Sequence, residues 1–150
     1  MRNIFLFSLA FSLGFLAHSF AESSESNGRV TGIGGVFFQS KDPAALKTWY
    51  QKHLGMPMNE HGVLFEWKTL ESKRGVTQWS VMKSGSKYFA PSKSPLMINY
   101  RVDNLEAMVK RLKEEKVEVL DSIEATEYGS FVHVLDADGN KVELWQPPQG

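Results

Sequence analysis

YGSFVHVLDADGNKVELWQP, residues 128–147, consists of two β-rich runs around a turn. Ser130 to Asp136 and Lys141 to Trp145 flank Ala137-Asp138-Gly139-Asn140, and such a Gly/Asn turn between β-formers is a strong hairpin signal. A two-residue turn at Asp138-Gly139 sets Val134 opposite Glu143 and His133 opposite Leu144. Alternation along the second run puts Glu143 and Trp145 on one face, with Val142 and Leu144 on the other. If Val142 and Leu144 pack beneath helices, Glu143 points into an enclosed space. A carboxylate there must be paired, or its pKa rises and it stays protonated. A carboxylate in such a setting suits a general base or an acceptor for a ligand. The competing reading is a structural carboxylate held by Arg101 or Tyr128. The same register places His133 on the face away from Glu143, and a bulge would reverse that.

The chain ahead of this hairpin reads as one pattern used twice. Leu96 to Val102 is a strand, and Asp103 then caps a helix carrying Leu105, Met108, Val109 and Leu112 on one face. Val117 to Leu120 follows as a short strand. In the first half, Val30 to Gln39 is β-branched and aromatic and reads as a strand. Asp42 and Pro43 open a helix, because aspartate accepts from a free amide and proline fits the first turn. Leu46, Trp49, Tyr50 and Leu54 recur at helical spacing, and Gly55 sits where a helix end wants a left-handed residue. Val63 to Lys68 and Thr77 to Met82 read as strands, and Lys83 to Pro95 as a loop. The order is β-α-β-β-β, repeated. Neither half covers its own sheet face, and two halves together can enclose a binding site.

A doubled β-α-β-β-β unit resembles the vicinal oxygen chelate superfamily: glyoxalase I, bleomycin-resistance proteins, extradiol dioxygenases and fosfomycin-resistance proteins. GIGGVFFQSKDPAALKTWYQKHLG (Gly32 to Gly55) is similar to its first strand and helix, and Tyr128 to Pro147 to its closing hairpin. The resemblance spans Val30 to Pro147. It implies an α+β fold, two βαβββ modules forming a glyoxalase-like cupped sheet around a central cavity. The domain then covers 29–148, as modules 29–83 and 95–147. Metal-binding members take one ligand from the first strand and one from the last strand of each module. Glu143 matches the closing ligand. The other expected positions fall on Gly35, Met82 and Leu96, with Gln78 the nearby alternative to Met82. Hard cations need oxygen or nitrogen donors, which these three residues do not supply well. The resemblance with these departures implies no cofactor, with a divalent metal as the alternative.

Composition limits the rest. The chain has 150 residues, 17 basic and 17 acidic side chains, and no cysteine. Disulfides, zinc–thiolate sites and thiol nucleophiles are excluded. Balanced charge argues against nucleic-acid binding. Lys110 to Lys116 (KRLKEEK) reads as a solvated helix face with Glu/Lys pairs at helical spacing. Gly32-Ile33-Gly34-Gly35 lacks the strand-before, helix-after context of a phosphate cradle; the glycines read as sites of close backbone approach. Residues 1–21 have a basic n-region at Arg2, an apolar run from Ile4 to Leu16, and Ser19 and Ala21 before a cleavage point. This is the pattern of a secretory signal peptide, and the run is short for a membrane span of about 20 residues. Residues 22–28 are polar and aperiodic, and read as a disordered linker. The expected location is secreted or periplasmic, with no stable membrane insertion after cleavage.

The functional expectation is a binding module holding a small organic molecule between its two halves. Glu143 is the main polar contact and the candidate catalytic residue. Trp145, Tyr100 and Tyr128, with Trp67 and Trp79, form a set that suits the walls of the site, although each alone reads more readily as core, and His133 is a further candidate. His53 and His61 read as surface groups. The alternative is a metal-dependent lyase, isomerase or dioxygenase of the glyoxalase type, drawing ligands from Gln39, His61, His133 or Asn99. Members of the resembled family often pair as homodimers, and the sequence leaves that open.

Overall fold

A computed structural model describes residues 27–69 and 74–148. The expected signal segment and residues 22–26 of the linker lie outside the described residues. The elements are β1 (Val30–Ser40), α1 (Pro43–Leu54), β2 (Val63–Lys68), β3 (Arg74–Lys83), a short 3-10 turn (Lys87–Phe89), β4 (Leu96–Val102), α2 (Leu105–Glu114), β5 (Glu124–Thr126), β6 (Gly129–Leu135) and β7 (Lys141–Gln146). The strands form one seven-stranded sheet in the order β2-β3-β1-β4-β7-β6-β5. In each half the first strand pairs in parallel with the last: β1 with β3, and β4 with β7. The halves join where β1 meets β4 antiparallel. Among the described residues the first half has one strand fewer than the second, which departs from a strict repeat. The place of the extra strand holds only an isolated Asn59–Gly62 bridge.

Both helices lie on one face of the sheet. Asp42 caps α1 as expected, accepting from Ala45 N at 2.9 Å, and Gly55 closes it in the left-handed region at φ 64°. Leu46 and Tyr50 rest against Phe38, Val63, Trp79 and Val81. On α2 the cap is Asn104, not Asp103: Ala107 N donates to Asn104 Oδ1 at 3.0 Å. Asp103 instead accepts from Arg29 N at 2.8 Å. Leu105, Met108 and Val109 bury against Val102, Val132, Val134 and Leu144. Arg111 departs from the solvated reading of its segment. Its guanidinium donates to the carbonyls of Asn27 at 2.6 Å and Gly28 at 2.9 Å, so the last two residues of the expected linker are docked on the domain.

The helix-free face carries a third apolar group of Phe37, Phe89 and Met97, with Met82 at its edge. Phe89 comes from the long connection between β3 and β4, which folds back over the sheet. The Val117–Leu120 segment is not a strand of the sheet. It makes one bridge, Val119 to Val134, and runs alongside β6 through Leu120 N to His133 O at 2.8 Å. That course delivers Asp121 to the flank of β6.

Candidate functional site

The hairpin turn decides which residues meet. Leu135 pairs with Lys141, and Asp136 N donates to Asn140 O at 3.0 Å, so the turn holds three residues, 137–139. Gly139, at φ 78°, takes the left-handed position such a turn requires. The Asp136 carboxylate accepts from Asp138 N, Asn140 N and the Asn140 amide and steadies the loop. A turn one residue longer than the expected two-residue turn slips the register by one, which changes the face of every partner. His133 therefore lies directly opposite Glu143, on the same face, and the expected Val134–Glu143 pairing is replaced.

Glu143 is 2% exposed. Its neighbours on the helix-free face come from three different places in the chain. Asn99, level with it on β4, donates through Nδ2 to Oε1 at 2.5 Å. His133 Nε2 lies 2.9 Å from Oε2. The phenol of Tyr88, in the β3–β4 connection, donates to Oε2 as well. Arg101 and Tyr128, the internal partners considered from sequence, are not those that hold it. Beyond His133 stands Asp121, whose carboxylate accepts from His133 N at 2.8 Å and meets His133 Nδ1 at 2.6 Å. The result is a carboxylate–imidazole–carboxylate row with a phenol and an amide closing the inner end.

Electrostatics follow from these contacts. Burial alone would raise the Glu143 carboxyl, but hydrogen bonds from His133, Tyr88 and Asn99 outweigh it and hold the group below its usual range. Burial likewise opposes the charged form of His133, yet its bonds to Glu143 and Asp121 prevail and raise its pKa. Tyr88 is pushed up by burial and then by the Glu143 charge, so its phenol stays a donor. Lys141, lowered chiefly by burial, donates to Tyr88 O at 2.8 Å, with Nζ 5.1 Å from the Tyr88 ring centre.

These shifts predict a pH window. The Glu143 contribution to stability is complete above the ordinary carboxyl value of 4.5 and is lost as pH falls through its lower folded value. The His133 contribution is complete below the ordinary imidazole value of 6.5 and is lost as pH rises through its higher folded value. Urea unfolding across pH should find the pair contributing most between 4.5 and 6.5. A His133→Gln variant should lose the alkaline arm of that profile. An unchanged alkaline arm would show that the imidazolium is not paired.

The remaining sequence candidates separate. Trp145 shares the Glu143 face, where its indole stacks on Phe131 (centres 6.3 Å apart, 20° between planes) and donates to Tyr128 O at 2.8 Å. The Tyr128 side chain is 69% exposed, so the residue meets this group through its backbone. Tyr100 packs with the α2 core, on the opposite face. The sequence expectations omit Tyr88 and Asp121 and include Asn99 only among the ligands of the alternative, metal-dependent reading. Tyr88 and Phe89 had one signal: adjacent aromatics inside an otherwise polar loop.

The register also relocates the expected metal positions. Gly35 lies opposite Asn99 across the seam and opposite Gln78 within its own half, while Asn99 lies opposite Glu143. The equivalent set is thus Gly35, Gln78, Asn99 and Glu143; Met82 and Leu96 sit further along their strands. This set does not fit a divalent cation. Gly35 offers no side chain, and a Cβ there would lie 2.7 Å from the Phe37 ring. Gln78 Nε2 donates to His61 O and Ser80 Oγ, and the Glu143 oxygens face N–H and O–H donors. Among the described residues no group of three His, Asp or Glu side chains could hold a metal.

Comparison with known proteins bears on the family and the fold. The sequence model of the Glyoxalase/Bleomycin resistance protein/Dioxygenase superfamily matches residues 32–144. No curated protein gave a match. Solved structures share the fold. Methylmalonyl-CoA epimerase from Mycobacterium tuberculosis is 21% identical, covering 80% of this chain and 90% of its own, at a TM-score of 0.56. The Streptomyces coelicolor methylmalonyl-CoA epimerase in complex with 2-nitronate-propionyl-CoA is 14% identical, covering 81% and 100%, at 0.62. A superfamily member from Vibrio splendidus is 12% identical, covering 79% and 99%, at 0.52.

Proposed function

The chain belongs to the Glyoxalase/Bleomycin resistance protein/Dioxygenase superfamily, and from that premise we propose that it binds a small organic molecule on the helix-free face of its sheet, without a divalent metal. The observation that carries this reading is the hydrogen-bonded setting of Glu143. A buried carboxylate held ionised by a phenol, an amide and an imidazole is a ready acceptor for a ligand O–H or N–H. Tyr88 is the replaceable partner, since it comes from a connecting segment whereas Asn99 and His133 stand on strands. Asp121 fixes the His133 ring, so the imidazole keeps its aim when the phenol gives way. The structural relative in complex with 2-nitronate-propionyl-CoA supports an organic ligand as the occupant class. The same proposal includes export, on the strength of residues 1–21; the N-terminus of mature protein recovered outside the cytoplasm should then be Glu22.

The test takes residues 22–150 through incubation with zinc, manganese, iron and nickel, followed by elemental mass spectrometry. The expected result is no stoichiometric metal. About one ion per chain, lost in Glu143→Ala, would overturn the metal-free reading and favour a glyoxalase-type enzyme. In parallel, phenol and catechol are titrated by thermal shift. Stabilisation of the wild type that is lost in Glu143→Gln supports the carboxylate as the ligand's acceptor.

A further inference from the structure

Two polar groups on β4 lack the partners their chemistry demands. Tyr100 and Val102 pack with α2, so alternation turns Asn99 and Arg101 to the helix-free face. Asn99 is 3% exposed, and its Oδ1 is buried with no hydrogen-bond donor. Such an atom costs about 1–3 kcal/mol when left unpaired. Arg101 is half-buried, and no hydrogen bond or ion pair engages its guanidinium among the described residues. A partly desolvated cation without an anion is likewise unfavourable.

Both groups border one aromatic surface. Arg101 pairs directly with Trp145 across the β4–β7 ladder, and Trp145 is stacked on Phe131. The indole closes over Gly34. A Cβ at Gly34 would lie 2.7 Å from Trp145 Cε3 and 2.2 Å from Asn99 Oδ1, so only glycine lets ring and amide meet here. Along the strands, Asn99 and Glu143 stand two residues from Arg101 and Trp145, roughly 6.6 Å away. The unpaired cation and the acceptors thus mark two ends of a short site with a flat apolar wall.

We infer that this surface is a subsite for a planar organic acid, whose carboxylate pairs with Arg101 and whose hydroxyl or amino donor, about 6–7 Å away by strand spacing, reaches the Asn99–Glu143 end. The inference rests on reading this face as ligand-binding and adds the ligand's class and orientation. An aromatic ring bridges the two ends and lies against the Phe131–Trp145 stack. Guanidinium–carboxylate pairing supplies charge and direction, and the indole excludes water from one side.

The test uses 4-hydroxybenzoate and its neutral counterpart 4-hydroxybenzamide, titrated calorimetrically into the wild type, Arg101→Gln and Arg101→Lys at pH 7. Circular dichroism confirms that each variant is folded. The acid should bind the wild type about tenfold or more tightly than the amide. Arg101→Gln should bring that ratio close to one by weakening the acid far more than the amide, and Arg101→Lys should retain part of it. Equal binding of acid and amide to the wild type overturns the Arg101 subsite and leaves the ligand-binding face standing. A preference that survives in Arg101→Gln does the same. No binding of either compound overturns both the subsite and the reading beneath it. Loss of both compounds in Glu143→Gln, together with the Arg101 dependence measured in proteins that keep Glu143, supports both.

Discussion

His133→Leu is expected to lower the unfolding free energy by about 3 kcal/mol at pH 7, or roughly 10 °C in Tm. The loss does not come from hydrophobicity, because leucine fills much of the imidazole's volume. It comes from Glu143, which remains 2% exposed with its nearest cation removed. The size of the effect should depend on pH. The deficit is fullest at pH 5, where the wild-type imidazole is charged, and narrows toward alkaline pH as His133 loses its proton. Changing Glu143 to leucine as well should make the double variant more stable than the sum of the single losses predicts. Urea unfolding of the four proteins at pH 5 and pH 7.5 measures this directly. A loss under about 1 kcal/mol with no pH dependence would mean that the pair contributes little, as exposed ion pairs do.

Phe89→Ala should be similarly damaging, at about 3–4 kcal/mol. Phe89 is 1% exposed and packs on Phe37 and Met97 from a segment that is not part of the sheet. Truncation leaves a cavity beneath a connection that is tied to β1 only at its two ends, through Ser84 N to Ser40 O and Gln39 N to Pro95 O. The effect should reach the site, because the next residue back is Tyr88. With its anchor gone, the phenol no longer shields Glu143. Tyr88→Phe is the control, since it removes one hydroxyl and leaves the packing, and should cost about 1–2 kcal/mol. If Phe89→Ala were no worse than Tyr88→Phe, the connection would owe its place to the phenol and not to the ring beside it.

Much of the architecture could be read from residue patterns, for local reasons. Asp42, Pro43 and Gly55 bound α1 by chemistry that acts within a few residues. The doubled order of elements showed in periodicity, and Glu143 stood out as a carboxylate between apolar neighbours on a strand. What escaped reading was set by geometry at a distance. A dipeptide turn and a three-residue turn draw on the same letters, DADGN, and only the observed hydrogen bond from Asp136 to Asn140 separates them. That one residue decides whether His133 meets Glu143. Asn104 took the cap because Asp103 was engaged by Arg29, a contact between distant parts of the chain. Gln78 and Asn99 replaced Met82 and Leu96 because counting back from a cap assumes equal strand lengths in both halves. Tyr88 reached the site through a loop whose path no local signal records.

The seam between β1 and β4 also bears on how the protein is made. During synthesis β1 finds β3 on one side, while its other side stays bare until residues 96–102 arrive. Through that interval the first half presents an unpaired strand edge with Phe37 exposed beside it, a template for other chains. A fragment ending at Lys83 should therefore associate with itself instead of persisting as a monomer. The natural remedy is delay: a nascent chain kept unfolded until both central strands are available closes the edge in one step.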